Sequence, residues 1–223
     1  MHPKATGASG SARRHARLRI HRGFSLIEVM ISVAIVAVLL GVGVPAIGDW
    51  IQNRQVNALA ESIASGLRMA QSQAVQRNVP VDLLFTSSDV TVPANQASPT
   101  LTVGGLAKTD ATPNWMVRES GATTSAGFIQ GKTGLDDGGN ARFSGPAGVS
   151  FSPLGSLSAS IAANGTSAAP TGTVVFMVVN PSVQASSSTQ RCIYVSTGGA
   201  VRICDPRAAS GDSRACNPTC AIP

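Results

Sequence analysis

Hydrophobic and polar positions divide the chain into three regimes. Residues 1–22 are basic, small and polar, without periodicity. Val29 to Ile47 is apolar, with Ser32 its only polar side chain. At ~1.5 Å per residue such a helix extends roughly 28 Å, about the hydrocarbon thickness of a bilayer. Pro45, close to Gly41 and Gly43, removes a helical hydrogen bond and predicts a kink or a loosened turn. The helical pattern then resumes. Val56, Leu59, Ile63, Leu67, Ala70 and Ala74 recur every three or four residues and form one apolar stripe. Arg54, Asn57, Glu61, Arg68 and Gln76 occupy the other faces. Pro80 ends the pattern, so the chain is predicted to leave the helix at Asn78 and Val79.

Beyond Pro80 the period shortens. Predicted strands are Val81–Thr86, Leu101–Val103, Trp115–Arg118, Gly148–Phe151, Thr173–Val179, Arg191–Ser196 and Ala200–Cys204. The β-branched run 173–179 suits a central strand. Clusters of Gly, Ser, Thr, Asn and Pro separate the strands, and the low-complexity stretch from Ser156 to Thr173 predicts a mobile loop. The implied fold class is α+β, with a long N-terminal helix whose second half packs on an antiparallel β head.

Charge changes this picture at one end only. The formal net charge is +6, but Lys4, Arg13, Arg14, Arg17, Arg19 and Arg22 all precede residue 24, and the remainder of the chain is formally neutral. A basic run before an apolar block orients the N-terminus toward the cytoplasm and exports the chain beyond the block. All three histidines, His2, His15 and His21, share that leader. A chain without the leader has no imidazole for triads, general bases or metal ligation, so no enzymatic activity, cofactor or metal is expected. The four cysteines, Cys192, Cys204, Cys216 and Cys220, cluster at the other end. An even number there reads as disulfides formed in an oxidising compartment, the periplasm if the chain is bacterial.

The junction between leader and apolar block is Arg22-Gly23-Phe24-Ser25-Leu26-Ile27-Glu28. A carboxylate deep in a membrane costs on the order of 2.5–3.5 kcal/mol on insertion scales, so Glu28 requires a reason. Cleavage after Gly23 supplies one, because the new amino group of Phe24 would lie one helical turn before Glu28. That pair can form within one chain or with a packed neighbour, and the second arrangement sets an axial register. A carboxylate resting at headgroup depth is the plainer alternative. This segment resembles the class III signal of type IV pilins and type II secretion pseudopilins. The resemblance implies cleavage between Gly23 and Phe24 by a prepilin peptidase, N-methylation of Phe24, and a docking role for Glu28 in a filament of pilins. The competing reading is an ordinary secretory signal cut near Val44-Pro45-Ala46, which the length of the apolar block and Glu28 both disfavour.

At the cysteine end, Ser196-Thr197-Gly198-Gly199-Ala200 reads as a hairpin turn with Gly199 in the left-handed position. That register sets Cys192 directly opposite Cys204, where Cβ atoms lie roughly 4.5–5.5 Å apart. The predicted bridges are Cys192–Cys204 and, by elimination, Cys216–Cys220, one of three connectivities that four cysteines allow. The segment from Cys192 to Pro206 is similar to the C-terminal region of the GspH/FimT group, which comprises secretion pseudopilin H and related minor pilins. DNA-binding members of that group carry Gly-Arg-x-Arg-x-Cys. Here Arg202 is kept but Ala200 replaces the first arginine. Arg191, Arg202, Arg207 and Arg214 are therefore the candidate DNA contacts, set against an ordinary solvated surface.

Three further patterns carry little. Ala126-x4-Gly131-Lys132-Thr133 lacks the first glycine of a phosphate loop and reads as a turn-rich loop. Asp136-Asp137-Gly138 suits a hairpin turn better than a calcium loop. Trp50 is placed as an interfacial anchor. The predicted organisation is a leader at 1–23, a transmembrane helix at 24–50, an amphipathic helix at 51–79, a β-rich head at 80–205 and a disulfide-bearing tail at 206–223. The expected function is structural. It is that of a minor pilin or pseudopilin in a type IV pilus or type II secretion filament, held in the bacterial inner membrane by one span. DNA uptake is the alternative.

Overall fold

The fold is that of a computed structural model, which describes residues 24–102, 114–134, 139–183, 188–217 and 220. Within the first helix, the side chains of 42–47 and 49 fall outside the description. The chain separates into two compact units, the first ending at Gly43 and the second beginning at Val44.

Helix α1 is Leu26–Arg77, assigned without interruption through Pro45. Ser25 starts it, its carbonyl accepting from the N–H groups of Glu28 and Val29. Asn78 ends it at φ 54°, a left-handed position that asparagine tolerates better than most residues, two residues before Pro80. The exit is where the sequence places it. In the first unit, the apolar side chains from Leu26 to Leu40 are exposed. Among the described residues, no helix is long and apolar enough to cross a membrane; the apolar block is described in its side chains only as far as Gly41.

The second unit contains two antiparallel sheets. The larger is built from β1 (Val81–Thr86), β2 (Asn114–Glu119), β3 (Phe128–Lys132), β5 (Gly148–Phe151), β6 (Leu157–Ile161) and β7 (Ser167–Ala168), in the order β3-β2-β1-β5-β6-β7. The smaller, in the order β10-β9-β8-β4, comprises β4 (Arg142–Ser144), β8 (Val174–Val179), β9 (Gln190–Val195) and β10 (Val201–Cys204). A short helix, α2 (Pro93–Ala97), lies between β1 and β2.

The stripe read from the sequence is the helix's contribution to the core. Val56, Leu59, Ile63, Leu67, Ala70 and Ala74 are each at most 1% exposed. They share one cluster with Val81, Leu83 and Phe85 of β1, Trp115 and Val117 of β2, and Ile193 and Val195 of β9. Alternate residues of each strand point inward, as a period of two requires. Phe85 joins the two sheets, with ring centroids 4.3 Å from Phe143 of β4 and 5.3 Å from Phe176 of β8. Gly66 permits a close approach, because a Cβ there would lie 2.9 Å from Leu83 Cδ1 and 3.2 Å from the Trp115 ring. Trp115 Nε1 donates to Ser62 Oγ at 3.1 Å, which satisfies the indole among apolar neighbours.

The structure corrects several expectations. The stretch 156–173 is not simply a loop. It holds β6, which pairs with β5, and β7, which pairs with β6, and Leu157 and Ile161 are buried. Small residues at 158–160 hid an apolar alternation. Leu101 makes only an isolated bridge to Thr86, and Val103 lies outside the described residues. The sequence around Gly131-Lys132 forms strand β3 instead of a turn-rich loop. Asp136-Asp137-Gly138 lies outside the described residues.

Candidate functional site

The assembly determinants begin at the helix start. Gly23 lies outside the described residues, while Phe24 is 81% exposed just ahead of α1. Glu28 sits exposed in the first turn of α1, where a carboxylate complements the helix dipole. Ser32 Oγ donates to the Glu28 carbonyl at 2.7 Å, so the polar residue inside the apolar block turns back onto the helix. Trp50 is exposed, with the Arg54 guanidinium 4.5 Å above its ring.

The hairpin at the cysteine end has the predicted register. Cys192 pairs with Cys204, Tyr194 with Arg202, and Gly199 takes φ 87°. Glycine is required there twice over, since a Cβ would also strike the Gly155 carbonyl and the Gln71 amide. Gln71 Nε2 in turn donates to the Gly155 carbonyl at 2.7 Å, tying the turn between β5 and β6, which lies against Gly199, to α1.

The predicted bridges are wrong, although the register behind them is right. The disulfides are Cys192–Cys220 and Cys204–Cys216, with Cα separations of 6.4 and 5.1 Å. The Ser196 N–H donates to the Ala200 carbonyl, and counting alternate pairs from there makes Cys192 and Cys204 a hydrogen-bonded pair, the wider class for side chains. The tail supplies the partners instead. Asp205 bridges Ala215 in parallel, its N–H donates to the Arg214 carbonyl at 2.7 Å, and Arg202 Nη2 donates to the Ser213 carbonyl at 3.1 Å. These bonds fold the tail back along β10 and carry Cys216 to Cys204. Cys220 reaches Cys192 on the neighbouring strand. Cys192, Tyr194 and Cys204 form a cluster with Cys216 and Cys220, which covers that face of the smaller sheet. Burial there pushes the Tyr194 hydroxyl pKa upward.

The four candidate DNA-contacting arginines all have acceptors within the chain. Arg191 Nη1 lies 2.7 Å from Asp205 Oδ2, and Arg207 Nη1 donates to the Ser188 carbonyl at 2.7 Å. Arg214 grips Asp212 through Nη2 at 2.8 Å and Nε at 3.2 Å. That hydrogen bonding lowers the Asp212 pKa to about 2 and raises that of Arg214. Arg202 is held by the tail carbonyl of Ser213. These side chains stabilise the tail, and their geometry lends the DNA reading no support.

Sequence reasoning passed over one constellation. Asp82 of β1 is only 6% exposed, and its direct neighbours across the sheet are Arg118 of β2 and Ser150 of β5. Burial raises its pKa, while hydrogen bonds from Ser150 and Ser120 and the nearby Arg118 pull the other way. The signal was a lone carboxylate inside Val-Asp-Leu-Leu-Phe-Thr, a strand otherwise suited to burial on both faces.

Comparison with known proteins places the chain in a family. The profile of the prokaryotic N-terminal methylation motif matches residues 18–44, and that of the type II transport protein GspH matches residues 59–199. Two crystal structures of the type IV minor pilin FimU from Pseudomonas aeruginosa (strain PAO1) align with it at 13% identity and a TM-score of 0.42. They cover 66% of this chain and 90% and 87% of theirs. No curated protein matches its sequence. The second profile spans most of the chain, from within α1 to the hairpin turn. The chain belongs to the GspH family of type II transport proteins, the pseudopilins and minor pilins whose role in filaments is structural.

Proposed function

We propose that this chain matures by cleavage between Gly23 and Phe24 and methylation of the Phe24 amine, and then enters a pilus-like filament as a minor subunit. Residues 24–50 anchor it in the inner membrane before assembly, with the head on the periplasmic side. Glu28 pairs with the Phe24 amine of a neighbouring subunit and sets the register of the stacked helices. The head, from the amphipathic half of α1 to the disulfide-tied tail, faces outward. Its task is assembly, with no chemistry of its own.

The observation that carries this reading is the exposure of α1's first stretch. Apolar side chains around the whole helix from Leu26 to Leu40 stay uncovered. A helix apolar on every side requires lipid or other helices around it. The test is to express the full chain with and without a prepilin peptidase and determine the mature N-terminus by mass spectrometry. A methylated Phe24 at the new terminus is expected. Glu28→Ala should still be cleaved but be lost from the filament fraction. A mature chain beginning at Ile47 would mean an ordinary secretory signal and would overturn the proposal.

A further inference from the structure

Over the larger sheet, on the face carrying Asp82, lies a cleft of about 480 Å³, within the ~300–1,000 Å³ range of ligand pockets. Leu84 and Ile161 line its apolar part, and Ser98, Ser120, Thr123 and Ser167 contribute hydroxyls. Asp82 and Arg118 also line it.

Two of its polar atoms are unanswered. Asp82 Oδ1 and Arg118 Nε are both buried and without a hydrogen-bond partner. Arg118 is anchored at its other end, where Nη1 donates to the Ala97 carbonyl at 3.2 Å and the Gln96 carbonyl at 3.5 Å, at the end of α2. Its guanidinium is therefore held in place while Nε stays unpaired. A buried acceptor and a buried donor left unpaired are each costly, and native structures keep few of them.

The chemistry that answers both atoms is narrow. Asp82 and Arg118 oppose each other directly across β1 and β2, so the pair is close to neutral overall. An anion suits Arg118 but meets the Asp82 carboxylate, and a cation meets the reverse conflict. A neutral group that presents a donor and an acceptor side by side satisfies both. A peptide group is such a pair. We propose that this cleft binds an extended polypeptide segment through one peptide group, its N–H donating to Asp82 Oδ1 and its C=O accepting from Arg118 Nε, with a small apolar side chain against Leu84 and Ile161. The inference does not depend on the filament role.

The probe is N-acetylglycine N-methylamide, titrated into the full chain in detergent micelles and followed by amide NMR shifts. Acetate and methylammonium, titrated alone, report on charge without a peptide group. Saturable shifts centred on Asp82, Arg118, Ser120 and Gly165 are expected with the peptide probe. Asp82→Asn keeps the side chain's shape and removes its charge. It should weaken binding roughly tenfold or more, as loss of a charge-assisted hydrogen bond does. Thr123→Trp, at an exposed rim position, should block the cleft without touching the core. The proposal fails if the probe gives no saturable shifts, if both variants bind as the parent does, or if acetate or methylammonium reproduces the response.

Discussion

From Leu26 to Leu40, α1 leaves its leucine, isoleucine and valine side chains between 50% and 78% exposed, whereas from Val56 to Ala74 the striped apolar residues are at most 1% exposed. Residue type does not separate the two stretches; period does. The first is apolar at every angle, so no single sheet can cover it. The second confines its apolar residues to one stripe, which a sheet can cover. Gly66 and Ala60, Ala64, Ala70 and Ala74 further let that stripe approach closely. The first stretch is thus left uncovered by the rest of the described chain, and the second is completed within it.

The largest effect should come from breaking the covered stripe. Leu67→Ala removes a fully buried side chain and is expected to destabilise the head by about 2–5 kcal/mol, while Leu39→Ala leaves it unchanged. Denaturant unfolding followed by Trp115 fluorescence reads this difference. Equal losses from both substitutions would dissolve the contrast.

Next come the tail's covalent ties. Replacing Cys204 and Cys216 together by serine should cost the head about 3 kcal/mol, the usual scale for a loop of this size. Peptide mapping without reductant should recover Cys192 linked to Cys220. Gly199→Ala is expected to cost about 2–3 kcal/mol, from a left-handed backbone and a collision with the Gly155 carbonyl. Neither change should alter detergent dependence, which belongs to the first stretch.

The smallest effect should be a gain. The folded pKa of Asp82 is raised above 3.8, so the native state holds its proton more tightly than the unfolded state. Stability from this group is greatest below pH 4 and is lost as pH rises through the raised value. Asp82→Asn should therefore be more stable than the parent near neutrality, with the difference vanishing at low pH. Melting temperatures measured between pH 4 and 7 check both sign and trend.

Much of this was legible in local pattern. The stripe, the exit at Asn78, six of the strands and the hairpin around Gly199 arise from spacings and from backbone preferences that act over a few residues. β6 escaped because serine and alanine between Leu157 and Ile161 blur the alternation. The disulfides escaped for a different reason. The register between Cys192 and Cys204 is local, but their partners arrive through the bonds among Asp205, Ser213, Arg214 and Ala215, which no spacing encodes. Asp82 was visible as an oddity in an apolar strand, yet its neighbours Arg118 and Ser150 lie far away in sequence.

The sequence by itself determined where the helix changes character, where it stops and which residues it buries, because helical period and capping are properties of adjacent residues. It also determined family membership, through the segment around Phe24 and Glu28 and the body of the head. Only the tertiary structure decided which cysteines meet, what each tail arginine holds, and that a carboxylate and a guanidinium share an open cleft. Those outcomes depend on strands and tail segments brought together by the collapse of the core, and such proximity is fixed by packing across long sequence separations.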